Sequence, residues 1–120
     1  MFGNRKNTEC CSIQDYITSI QKLCEAYNYT EAEKLIVEAL GKFPHSPVPQ
    51  NLYGILLEMK GDYSLAMKHF RAGWALDPTY QPVNVNLQNI GSFTKNRRFA
   101  FSQADVEAEE LRREKLFMSN

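Results

Sequence analysis

An all-α fold of antiparallel helical hairpins, stacked as a short solenoid and closed by a C-terminal helix, is what this sequence predicts. Three observations predict it. Two segments repeat at a fixed offset of 34 residues, as Pro44 and Pro78 illustrate. Each segment carries apolar residues at helical spacings of three and four. A proline closes each one, where it stops a helix at little cost. A period in this range is the mark of a helical repeat array.

Taken in order, residues 1–11 read as a flexible lead-in and residues 12–120 as one domain. The composition agrees, since 120 residues with 43% hydrophobic and 23% charged content have the values of a single globular domain. The first helix shows in the stripe Ile13, Tyr16, Ile17, Ile20, Leu23 and Cys24. The second carries Ala32, Leu35, Ile36, Ala39 and Leu40 on one face. Thr30 is its expected N-cap, with Glu33 completing a T-x-x-E capping box. Leu52, Tyr53, Leu56, Leu57 and Met59 mark the third helix, with Pro47 or Pro49 near its start. Leu65, Ala66, His69, Phe70 and Gly73 mark the fourth. The units run over about 13–46 and 47–80, and Tyr29, Ala32, Ile36, Ala39 and Pro44 match Tyr63, Ala66, Phe70, Gly73 and Pro78.

A degenerate third unit with a capping helix is expected over 81–118. Val83 to Leu87 alternate apolar and polar, which is strand-like, but Pro82 and the repeat context favour a helix. The tail from Ser102 is rich in strong helix formers, with Ser102 and Asp105 as capping candidates. Glu109 and Arg113 are spaced for an i,i+4 pair, and Ala100, Ala104, Ala108 and Leu111 form a thin apolar stripe.

The unit of helix, turn, helix and proline resembles the tetratricopeptide repeat. Tyr53, Gly54, Leu57, Gly61, Tyr63, Ala66, Phe70 and Pro78 fit that pattern in the second unit. The first unit departs from it at Ser19-Ile20 and at Tyr27, which stands where the turn glycine is usual. In this reading Gly54 and Ala66 let paired helices approach, and Tyr63 and Phe70 supply most of the buried area. A bulky residue at Ala66 is expected to destabilise the fold.

Little in the chain points to catalysis. Phosphate-loop, dinucleotide, HExxH and EF-hand motifs are missing, and neither His45 nor His69 sits in a nucleophile signature. Glu9, Cys10, Cys11 and Cys24 are a poor zinc set, because adjacent thiols do not close a tetrahedron well. No enzyme, no cofactor and no metal are therefore expected. Fourteen basic residues balance fourteen acidic ones, which argues against a whole-domain clamp on nucleic acid or anionic lipid. Lys95, Arg97 and Arg98, flanked by Phe93 and Phe99, are a local exception, weighed as a minor nucleic-acid reading. The odd cysteine count and the want of a signal or membrane-spanning stretch lead to the expectation of a cytoplasmic protein.

The resemblance implies a protein-binding role, with the first helix of each unit lining a concave groove for a peptide or partner helix. Its inward places here are Ile17, Gln21 and Cys24, then Asn51, Leu52, Ile55 and Met59, then Val85, Asn86 and Asn89. Members that clamp a chaperone's C-terminal carboxylate use lysine, asparagine and arginine there. The matching Ile17, Gln21, Leu52, Pro82 and Asn86 fit at one place of five, so no such clamp is expected. The expected partner is a neutral or apolar segment, anchored on Leu52, Ile55 and Met59 with Asn86 and Asn89 bonding its backbone. Ile55→Glu is expected to abolish capture and spare the fold. The alternatives are self-association as a homodimer, or a groove filled by the chain's own C-terminal helix.

Overall fold

The computed structural model describes residues 11–90 and 97–118. Among them are six helices and no strand: α1 (Ile13–Glu25), α2 (Tyr29–Lys42), α3 (Pro47–Met59), α4 (Tyr63–Leu76), α5 (Gln81–Asn89) and α6 (Gln103–Met118). Most of the expected lead-in, with Cys10, and also Phe93 and Lys95, lie outside the described residues. The segment Val83–Leu87 is helical, so the repeat context prevails over local alternation. Among the described residues, no helix is long and apolar enough to cross a membrane.

Local chemistry explains the helix starts. Ser12 caps α1 through a reciprocal capping box with Asp15. Ser46 caps α3, accepting from the Val48 amide, with Pro47 in the first helical position where its missing N–H costs nothing. Thr30 is not a cap: α2 begins at Tyr29, two residues before the start that such a cap implies, and Asn28 occupies the cap position. The tight turn before it decides this. Tyr27 takes a left-handed φ of 61°, and its amide and that of Asn28 donate to the carbonyls of Cys24 and Leu23. Gly61 takes a φ of 88° at the equivalent place in the second hairpin, where Gly61 and Asp62 donate to Glu58 and Leu57. Both turns thus satisfy the last carbonyls of one helix and start the next.

Tyr27 pays a steric penalty there that glycine would not. Its side chain is 75% exposed and makes one edge contact with Tyr29, at a ring-centroid distance of 6.3 Å. Tyr27→Gly is therefore expected to raise stability by about 1 kcal/mol, read as a higher urea midpoint at an unchanged m value. A lower midpoint would show that the Tyr27–Tyr29 contact outweighs the backbone strain.

The helices pack as hairpins α1–α2 and α3–α4, with α3–α4 the most extensive pairing. Helices α1, α3 and α5 also touch in succession, forming an inner row, while α2 and α4 form an outer row. Ile20, Cys24, Ile36, Leu52, Ile55, Leu56, Phe70 and Val83 are fully buried between the rows. Side-chain hydrogen bonds tie the rows together: Tyr16 donates to Glu38, and Tyr53 donates to Glu33 at 2.7 Å. Tyr63 departs from expectation, because it is the first residue of α4 and half of it stays in water. Phe70 alone carries the buried aromatic area assigned to the pair.

The third unit does not form a full hairpin. Residues 97–101 precede α6 without regular secondary structure, as a strap along the inner row, and Ala100 and Phe101 are buried. Helix α6 packs only on α5 among the helices. Its buried residue is Val106, whereas Ala104, Ala108 and Leu111 are exposed, so the alanine stripe is not its packing face.

Candidate binding groove

The ten expected groove residues fall into two sets. Ile17, Cys24, Asn51, Leu52, Ile55 and Asn86 are buried. Gln21, Met59, Val85 and Asn89 line an open cleft of about 1000 Å³. The strap, through Phe99 and Phe101, and α6, through Asp105, Val106 and Glu109, form its other side. This division corrects one expectation. Ile55 is completely buried, so Ile55→Glu would place a carboxylate in the core and unfold the chain. Only the second set is open to a partner as the chain stands.

What covers the inner row is the strap, and not the C-terminal helix that stood among the alternatives. Asn51 on α3 donates its Nδ2 to the Ala100 carbonyl at 2.9 Å. Asn86 on α5 donates to the same carbonyl at 3.0 Å and to Asn51 Oδ1 at 2.8 Å. Ala100 N–H donates back to Asn86 Oδ1 at 3.0 Å. Both backbone groups of one extended residue are therefore satisfied by two fully buried amides from neighbouring helices of the inner row. No buried side-chain nitrogen or oxygen among the described residues lacks a hydrogen bond, as a low-dielectric site demands. Asn86 was an expected backbone binder; Asn89 instead faces the cleft.

A second grip lies one helical turn along α3 from Ile55. Arg97 reaches Glu58 with two nitrogens, Nε at 3.2 Å to Oε2 and Nη2 at 3.1 Å to Oε1. The two side chains are only 12% and 4% exposed. The Arg97 guanidinium also lies 4.3 Å from the centroid of the Phe99 ring, and Phe99 meets Phe101 edge-on. Arg97 is thus engaged by a carboxylate, which leaves Arg98 as the exposed described member of the basic cluster.

Sequence reasoning missed Glu58, Ala100 and Phe101 as parts of this surface. A signal existed for Glu58, the one charged residue in the otherwise neutral helix Pro47–Met59. Its partner stands 39 residues away, a pairing that no local pattern contains. His69, read as part of the α4 stripe, bonds Gln50 at 2.8 Å and packs on Tyr53, and burial lowers its pKa. No group of three or more metal-binding side chains gathers among the described residues.

Cys24 is the other expected groove residue with chemistry of its own. It is fully buried, and desolvation, aided by nearby Glu25, pushes its thiol up to about 11. An acid whose folded pKa is raised supports the fold fully below its unfolded pKa, near 8.5, and that support is lost as pH rises toward 11. Burial also raises Tyr80, to about 12. Two outcomes follow. Native Cys24 should resist thiol reagents at neutral pH, and stability should fall by about 2 kcal/mol between pH 8.5 and 11. Cys24→Ser or Cys24→Ala should flatten that alkaline limb in pH-dependent urea titrations; an unchanged limb would assign it to the tyrosines.

Compared with models of known protein families, with curated proteins and with solved structures, the chain matches none.

Proposed function

We propose that the protein is a non-enzymatic protein–protein interaction module of the tetratricopeptide kind, an adaptor, co-chaperone or assembly factor working in a reducing cytoplasm. Its inner helices receive a neutral or apolar peptide or helix. The observation that carries this reading is the amide pair Asn51 and Asn86, which grips both backbone groups of an extended residue at hydrogen-bonding distance. Such contacts recognise extended chain whatever its side chains. The uncovered Gln21, Met59, Val85 and Asn89 add amide and apolar contacts in a cleft that Glu25, Arg98, Arg112 and Arg113 also line.

Selection from a peptide-display library tests the reading. Neutral or apolar sequences should bind the wild type, and Val85→Glu with Met59→Glu should weaken them about tenfold or more, a loss of about 1.4 kcal/mol. The variant should melt within a few degrees of wild type, since neither side chain is fully buried. Ligands indifferent to the double variant would sink the assignment. Self-association is the second reading, favoured by the exposed Leu111, Phe117 and Met118 of α6. Light scattering that shows a stable dimer, lost on Phe117→Glu, would select it.

A further inference from the structure

We infer that the seat formed by Asn51, Asn86 and Glu58 is the docking site for an extended segment of a partner protein with an arginine three residues before a small residue, and that Arg97 to Ala100 holds the seat in its absence. The inference rests on the proposed binding function and amends its neutral partner in one respect: the segment carries an arginine for Glu58.

The contacts between seat and strap are those of a receptor with a ligand. The amides read only the backbone of Ala100, so any extended chain with a compact residue there satisfies them. Ala100 is itself buried, which sets the size limit. Glu58 supplies the charge requirement: it is fixed on a rigid helix, nearly fully covered, and held by two guanidinium nitrogens. A planar fork matches a carboxylate bidentately, so arginine suits this place better than lysine.

The polarity of the seat also argues for separability. A strap meant only to complete the core would gain as much from an apolar contact, because a buried ion pair costs desolvation that hydrophobic packing avoids. The ion pair and the amide clamp can both hydrate when they part, whereas Phe101, which belongs to the hydrophobic core, sets the cost of parting. The strap also forms one side of the open cleft, opposite Gln21, Met59 and Val85. A partner entering that cleft therefore lies against the element it displaces.

Competition in cis sets the expected affinities. A tethered segment acts at an effective concentration of about a millimolar, so a free peptide making only the same contacts scarcely displaces it. A partner that adds cleft contacts does. The probe is a labelled synthetic peptide, Arg-Arg-Phe-Ala-Phe-Ser, the sequence of residues 97–102. It is titrated into the full-length wild type and into Arg97→Glu, whose strap is repelled by Glu58. The variant should bind it about tenfold or more tightly than wild type, and replacing the peptide's first arginine by alanine should remove that gain.

No binding by a folded Arg97→Glu chain, or equal binding of the alanine peptide, overturns the inference. If the variant does not fold, hydrogen exchange on the wild type decides. The Ala100 and Phe101 amides should exchange about a hundredfold faster than the slowest amides of α3, as expected of sub-global opening. Exchange of both sets only through global unfolding overturns it, as does a wild-type dimer formed by strap exchange between two copies. Peptides selected on the Val85 and Met59 wall would still bind if the seat assignment alone failed; their loss as well would defeat the broader reading.

Discussion

Gly54→Ala is expected to destabilise the protein by about 3 kcal/mol, as overpacking of a rigid core does. A Cβ added at Gly54 would lie 2.5 Å from two ring carbons of Phe70 and 2.8 Å from a third. Phe70 is fully buried and has nowhere to swing, so α3 and α4 must separate or the ring must leave its rotamer. The better helix propensity of alanine returns only about 1 kcal/mol. Urea denaturation at neutral pH measures the net loss. Gly54→Ala with Phe70→Leu should recover part of it, because the smaller side chain opens the space that the methyl needs. Gly41→Ala is the control: nothing lies within 4 Å of its added Cβ, and the change should stabilise by about 0.5 kcal/mol. Equal effects at the two glycines would mean that close helix approach does not govern the second hairpin.

Gly54 also marks how far the sequence could be read. Its role follows from a small residue set among apolar ones at helical spacing, and the helices, their pairing and their proline stops follow from the same local periodicity. The inner places were likewise legible, because a repeat fixes which helix faces inward. Their exposure was not. Asn51, Leu52 and Ile55 have one pattern whether the inner row faces water or a covering segment, and only the path of residues 97–101 decides between them. That path was obscured by Ala100, whose spacing to Ala104 and Ala108 fits a helical stripe. Two asparagines on other helices satisfy its backbone instead, which removes the need for helical hydrogen bonds. The misplaced cap at Thr30 has a related cause. A left-handed tyrosine closes the turn and fixes the helix start two residues earlier, which overrides a sound local capping pattern.

The buried ion pair yields the second large effect, through the unequal freedom of its two members. Arg97→Met should cost about 3 kcal/mol, because Glu58 is anchored in the inner row of helices and cannot reach water while the strap covers it. Glu58→Leu should cost only about 1 kcal/mol, since Arg97 sits on an irregular segment beside the open cleft and can turn its guanidinium outward. Combining the two substitutions should restore stability relative to Arg97→Met alone, with a coupling energy of about 2 kcal/mol in a double-mutant cycle. Equal single effects would place both charges in equally rigid surroundings, and additive ones would remove the pair from the energetics altogether. The Arg97→Met loss also has a ceiling. Once the strap lifts, Glu58 hydrates, so the penalty cannot exceed the free energy that seats residues 97–101. A loss well below the global unfolding free energy, with the amides of α3 still protected, would therefore mean that the substitution has opened the groove and left the hairpins standing.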